Sequence, residues 1–159
     1  MNAGFNPDKQ HTLRSAVSIS GTGLHTGVNV DMTLKPANPG FGFPCQRTDR
    51  AGRRVIKADC DLVTDTTRGT TLEENGVKIS TVEHILAALV GMGIDNCLIE
   101  LNGPEIPIID GRSTPFVEII DESGVVEQDA AKAWYSIDTN ITHFDEKKRV
   151  EMTALPSTD

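Results

Sequence analysis

Ser80-Thr81-Val82-Glu83-His84-Ile85-Leu86-Ala87-Ala88-Leu89 reads as the opening of a short amphipathic helix with chemistry in its first turn. A helix turns about 100° per residue, so Val82, Ile85, Leu86 and Leu89 share one apolar face. His84 falls nearly opposite, Glu83 on the flank, and Ala87, Ala88 and Gly91 on the side of His84. Such a helix buries its stripe in one layer and admits a close neighbour on the other side. An adjacent carboxylate and imidazole there suit a general base beside a metal ligand. Spacing alone leaves a second reading open. Ser80-x-x-Glu83 is also a capping box, with Ser80 and Glu83 satisfying each other's amides, and a lone histidine in a first turn is more often a surface residue.

Outward from this helix, Val28, Val30, Met32 and Leu34 alternate with Asn29, Asp31 and Thr33 as a half-buried strand. With the run Leu13 to Ser20 it makes a two-stranded opening around Gly21-Thr22-Gly23-Leu24-His25-Thr26-Gly27. An irregular segment from Pro36 to Pro44 and a basic stretch follow. The helix stops at Gly91 and Gly93, and Cys97, Ile99 and Leu101 mark a strand. A second helix starts near Thr114 with Pro115 in first position, buries Phe116, Val117, Ile119 and Ile120, and ends at Gly124. Strands with two helices predict an α+β fold, a two-layer sandwich in which a sheet is covered by two helices.

The C-terminal part repeats the opening arrangement. Tyr135, Ile137 and Ile141 share one parity, and Val150, Met152 and Ala154 form a second run across the polar connection Asp145 to Lys148. Residues 1–127 are expected to form the first of two similarly folded domains, and 128–159 a linker and the opening hairpin of a truncated second one. A lone hairpin is marginally stable at best. The alternative is a hairpin joined to the first sheet.

Composition narrows the function classes. No apolar run is long enough to span a membrane and no signal peptide opens the chain. The three cysteines, Cys45, Cys60 and Cys97, are odd in number and lack C-x-x-C spacing, which fits a reducing cytoplasm. A net charge of −8 disfavours non-specific nucleic-acid binding. Residues 1–60 carry +4 and residues 61–159 carry −12. The basic part includes Arg47, Arg50, Arg53 and Arg54, a run that reads as a solvated loop rather than a phosphate site. The glycine-rich segment at 21–27 lacks a glycine at position 26 and leads into a strand, which excludes a dinucleotide loop and leaves His25 as a turn residue.

Several longer motifs stand in register: Gly21 to Gly27, Lys78 to Leu89, Gly93-Ile94-Asp95-Asn96, and Pro104-Glu105-Ile106-Pro107-Ile108-Ile109-Asp110-Gly111. In that order and spacing the chain closely resembles the UDP-3-O-acyl-N-acetylglucosamine deacetylases of bacterial lipid A synthesis, from about Gln10 to Gln128 and more weakly beyond. The resemblance implies a zinc hydrolase that removes the N-acetyl group of UDP-3-O-(3-hydroxyacyl)-N-acetylglucosamine, with its active site between two domains. Carried over by position, His84 matches the first Zn2+ ligand and Glu83 the general base that deprotonates the attacking water. Thr66 to Thr70 match a loop bordering the cleft, which makes Thr67 and Arg68 candidate substrate contacts.

One departure matters. The family's other two ligands belong to a His-Lys-x-x-Asp motif in the second domain, and none of His11, His25, His84 or His143 is followed by Asp at the fourth position. The expectation is half an active site, inactive alone, whose partner is its own second domain. Two rival functions remain: a silent binding module that uses Glu83 only as a helix cap, and a deacetylase fused to a hydroxyacyl-carrier-protein dehydratase.

Overall fold

The computed structural model describes residues 6–52 and 55–157; Arg53 and Arg54 of the basic run lie outside them. The strands are β1 (Lys9–Leu13), β2 (Val17–Thr22), β3 (Asn29–Pro36), β4 (Cys45–Arg47), β5 (Val55–Ile56), β6 (Val63–Asp65), β7 (Thr71–Glu74), β8 (Val77–Ile79), β9 (Cys97–Leu101), β10 (Val125–Ala131), β11 (Ile141–Asp145) and β12 (Val150–Ala154). The helices are α1 (Glu83–Gly91), between β8 and β9, and α2 (Thr114–Ser123), between β9 and β10.

A five-stranded sheet in the order β2-β3-β9-β4-β5 forms one layer. It is antiparallel except where β4 runs parallel to β9. Alternation sends Val30, Met32 and Leu34 of β3, and Cys97, Ile99 and Leu101 of β9, to the buried face. There they form one core with Ile85 and Leu89 of α1 and Phe116 and Ile120 of α2. The two-layer α+β architecture read from the sequence is therefore the one observed.

Two separate small sheets flank this sandwich. β1 pairs antiparallel with β10, and β6-β7-β8 form a three-stranded antiparallel sheet. The run Leu13 to Ser20 is not one strand: β1 ends at Leu13, the Arg14 amide bonds the Gly124 carbonyl at 2.8 Å, and β2 begins at Val17. β10 continues across the boundary expected at residue 127, and its partner β1 holds it as far as Ala131. β4 to β8 were not read from periodicity. Each is two to four residues long, too short for alternation to register.

Both helix ends follow local chemistry. Beyond α1, Gly93 adopts φ +75 and the Ile94 amide returns to the Leu89 carbonyl at 2.9 Å, while the Gly93 amide bonds Val90 at 3.0 Å. This is a Schellman stop, and its hydrophobic pair is buried Ile94 on Leu89. The apolar stripe of α1 buries Val82, Ile85 and Leu89 as expected, but Ala88 turns into the core while Ala87 and Gly91 face solvent. The small-residue side is narrower than the sequence suggests.

Among the described residues β11 and β12 pair only with each other, in the register Ile141↔Ala154 through Asp145↔Val150. The strand begins at Ile141, so Tyr135 and Ile137 lie in an irregular segment ahead of it. Asp145 Oδ1 accepts the amides of Lys147 and Lys148, each at 3.0 Å, and Arg149 takes the left-handed φ of 54 that closes the turn. Ile141, Phe144, Val150 and Met152 are exposed.

Candidate active site

The site is built around the start of α1. Its first residue, Glu83, and the next, His84, are half-buried. The capping box does not form. Val82 occupies the cap position with no side-chain bond, the Ser80 amide bonds the Pro104 carbonyl at 3.0 Å, and the Ser80 hydroxyl accepts from Thr71 Oγ1 at 3.0 Å. Glu83 instead turns to the loop between β6 and β7, where its Oε2 accepts the Thr70 amide at 2.9 Å. Its Oε1 lies beside Gly69, 3.2 Å from where a side chain at that residue would begin. Among the described residues the His84 imidazole has no hydrogen-bond partner.

Thr81, two residues before Glu83, has φ 62. A β-branched residue in the left-handed region costs about 1–3 kcal/mol, and such strain persists only where the surroundings fix it. Here the surroundings are Glu105. Its carboxylate is 0% exposed and accepts the Thr81 hydroxyl at 2.8 Å, the Thr26 amide at 2.8 Å and the His25 amide at 3.1 Å. Burial pushes the Glu105 carboxyl up, but the Thr26 and His25 amides and the Thr26 and Thr81 hydroxyls outweigh it and hold it below the ordinary glutamate value. A Cβ on Gly23 would stand 2.5 Å from Glu105 Oε2, so the carboxylate needs that glycine. The sequence gives Glu105 no sign of this role, since nothing local in Pro104-Glu105-Ile106 distinguishes a buried acceptor from a surface acid.

His25, expected to be only a turn residue, reaches across the site. Its Nε2 lies 3.0 Å from the Arg68 carbonyl, and since a carbonyl only accepts, that nitrogen carries the proton. A closed circuit results: Glu105 to Thr81, along the backbone to Glu83, to Thr70, back along the loop to Arg68, to His25 and to Glu105. It borders an open cleft of about 390 Å³ lined in part by His25, Thr67, Arg68, Gly69 and Thr81. Thr67 holds Asp65 through its hydroxyl at 2.7 Å and its amide at 2.9 Å, which keeps the Asp65 carboxyl below its usual range. Arg68 is exposed on the rim, and its guanidinium has no partner among the described residues.

Among the described residues of the basic run, neither Arg47 nor Arg50 lines this cleft. Arg47 is 3% exposed, its guanidinium spent on Asp49 at 2.6 and 2.8 Å and on the Lys78 carbonyl at 2.9 Å, which ties β4 to β8. Among the described residues, no pair of further ligand atoms accompanies His84; the only cluster of three is exposed Asp59, Cys60 and Asp61, on another loop. Among the described residues no helix is long and apolar enough to cross a membrane.

The chain is similar to known proteins along most of its length. A family model described as UDP-3-O-acyl N-acetylglycosamine deacetylase matches residues 10–159. A UDP-3-O-acyl-N-acetylglucosamine deacetylase of Myxococcus xanthus is 46% identical over 144 residues, covering 91% of this chain and 46% of the relative. One from Hahella chejuensis is 47% identical over 141 residues, covering 89% and 47%. A bifunctional enzyme LpxC/FabZ of Bacteroides thetaiotaomicron is 49% identical over 148 residues, covering 93% of this chain and 32% of the relative. The chain thus spans 32–47% of the length of these relatives.

Proposed function

The chain belongs to the UDP-3-O-acyl N-acetylglycosamine deacetylase family, and on that premise we propose that it supplies the Glu83–His84 half of a zinc-dependent active site. The reaction is hydrolysis of the N-acetyl group of a UDP-linked 3-O-acyl glucosamine in the cytoplasm. The observation that carries this reading is the orientation of Glu83: its carboxylate is bound by the Thr70 amide and does not cap its own helix. That disfavours a silent module in which Glu83 is only a cap.

The residues fit one position of a zinc site. His84 offers an imidazole with no partner among the described residues, next to a carboxylate. The remaining ligands belong to the second domain, whose opening hairpin we assign to β11 and β12. Zinc supplies Lewis-acid polarisation of the amide carbonyl and makes water acidic near neutral pH. Glu83 takes the proton of the attacking water on Oε1, while the Thr70 amide keeps Oε2 from turning away. Thr67 and Arg68 border the path of the substrate, and the free guanidinium of Arg68 suits the diphosphate. The relative named as a bifunctional enzyme favours a longer form of the same reading, with a dehydratase fused beyond the deacetylase.

Acetate release from the UDP-linked substrate by the full-length protein, with and without a zinc chelator, is the test. Release is expected to be chelator-sensitive and to vanish in Glu83→Gln with zinc content unchanged, because that substitution removes a base and no ligand. Release that ignores the chelator, or a variant within about tenfold of the parent, overturns it.

A further inference from the structure

A fully buried carboxylate with no cationic partner is costly unless several donors meet it. Glu105 meets several such donors, and they come from two segments far apart in sequence: Thr81 just before α1, and His25 and Thr26 in the glycine-rich loop. Its own backbone is locked beside Ser80, whose amide bonds the Pro104 carbonyl and whose carbonyl accepts the Ile106 amide, each at 3.0 Å. Each attachment leads to Glu83 by a different route. Through Thr81 it fixes the left-handed residue from which α1 departs. Through His25 and the Arg68 carbonyl it fixes the loop whose Thr70 amide holds the Glu83 carboxylate.

We propose that Glu105 is a positioning residue for Glu83, setting from behind the cleft both the helix that carries the base and the loop that orients it. The proposal rests on Glu83 being the base. No charge on Glu105 reaches the substrate; its contribution is geometric. A reacting group displaced by about 1 Å loses on the order of a hundredfold in rate.

Glu105→Leu removes every acceptor at similar volume. Thr81→Val cuts only the helix arm, and serves as the decisive variant if the first does not fold. Glu105→Gln keeps an acceptor for the Thr26 amide, and its NH2 can donate to a reoriented Thr81 hydroxyl. Two readouts are needed: kcat and KM of the full-length enzyme, and hydrogen exchange at the Thr70 amide. The expected result for Glu105→Leu is a kcat lowered at least about tenfold with KM within about twofold, and faster Thr70 exchange. Thr81→Val is expected to shift both in the same direction, with Glu105→Gln intermediate. A folded Leu or Val variant with parental kcat, or with parental Thr70 exchange, overturns the proposal. Turnover that survives Glu83→Gln instead removes the base assignment, and that experiment is read without any change at Glu105.

Discussion

Glu105 also makes a prediction about acid. Its carboxyl titrates below the ordinary value of 4.5 in the folded chain. A depressed carboxyl adds stability that is complete above the unfolded value and is lost as pH falls through the folded one. Denaturant unfolding at pH 7 and pH 3 should therefore show a smaller acid loss for Glu105→Gln than for the parent, because the variant has no proton to take up there. Equal losses would mean that Glu105 is not held as a carboxylate. Thr81 belongs to the same picture. Its strained backbone is tolerable because Glu105 takes its hydroxyl, and a Thr-Val-Glu-His string contains no sign of that. The Glu83–His84 pair stands out in the sequence by adjacency and helical phase, and its expected roles come from the resemblance of the longer motifs around it. Glu105 and the reach of His25 were not legible there, because both depend on contacts between residues more than forty positions apart.

At the level of the elements, β4 and β9 lie side by side and each carries a buried cysteine, Cys45 and Cys97. Burial raises both thiols to about 12, with the neighbouring Cys97 adding to the shift of Cys45. Cys60 is exposed. Iodoacetamide at pH 8 should label Cys60 alone in the folded chain and all three after denaturation, since the thiolate is the reacting species. Rapid native labelling of Cys97 would mean that β9 does not sit in the centre of the sheet. β3, β9, α1 and α2 were readable because each is long enough to show a period or carries glycine or proline at its ends. β7 and β8 had a different signal, Asn75-Gly76 flanked by short runs, whose φ values of 51 and 76 fit the favoured two-residue hairpin turn. That dipeptide could have located the three-stranded sheet. β4 and β5 carry no comparable mark and exist because neighbouring β9 pairs with β4.

For the whole molecule, the contrast is between a closed sandwich and a hairpin that shares no sheet with it. Tyr135 is 98% exposed, and the strands that follow bury almost nothing. Ending the chain after Tyr135 should leave the unfolding midpoint within about 4 °C of the parent, since less than about 1 kcal/mol of packing is removed. A larger drop would show that the hairpin supports the first unit. The circuit around the cleft bears on the order of manufacture. Its last member is residue 105, and chains fold from the N-terminus as they are made. With α2 and β10 completing the core beneath it, the proposed base can be seated as soon as residues through Ala131 have left the ribosome.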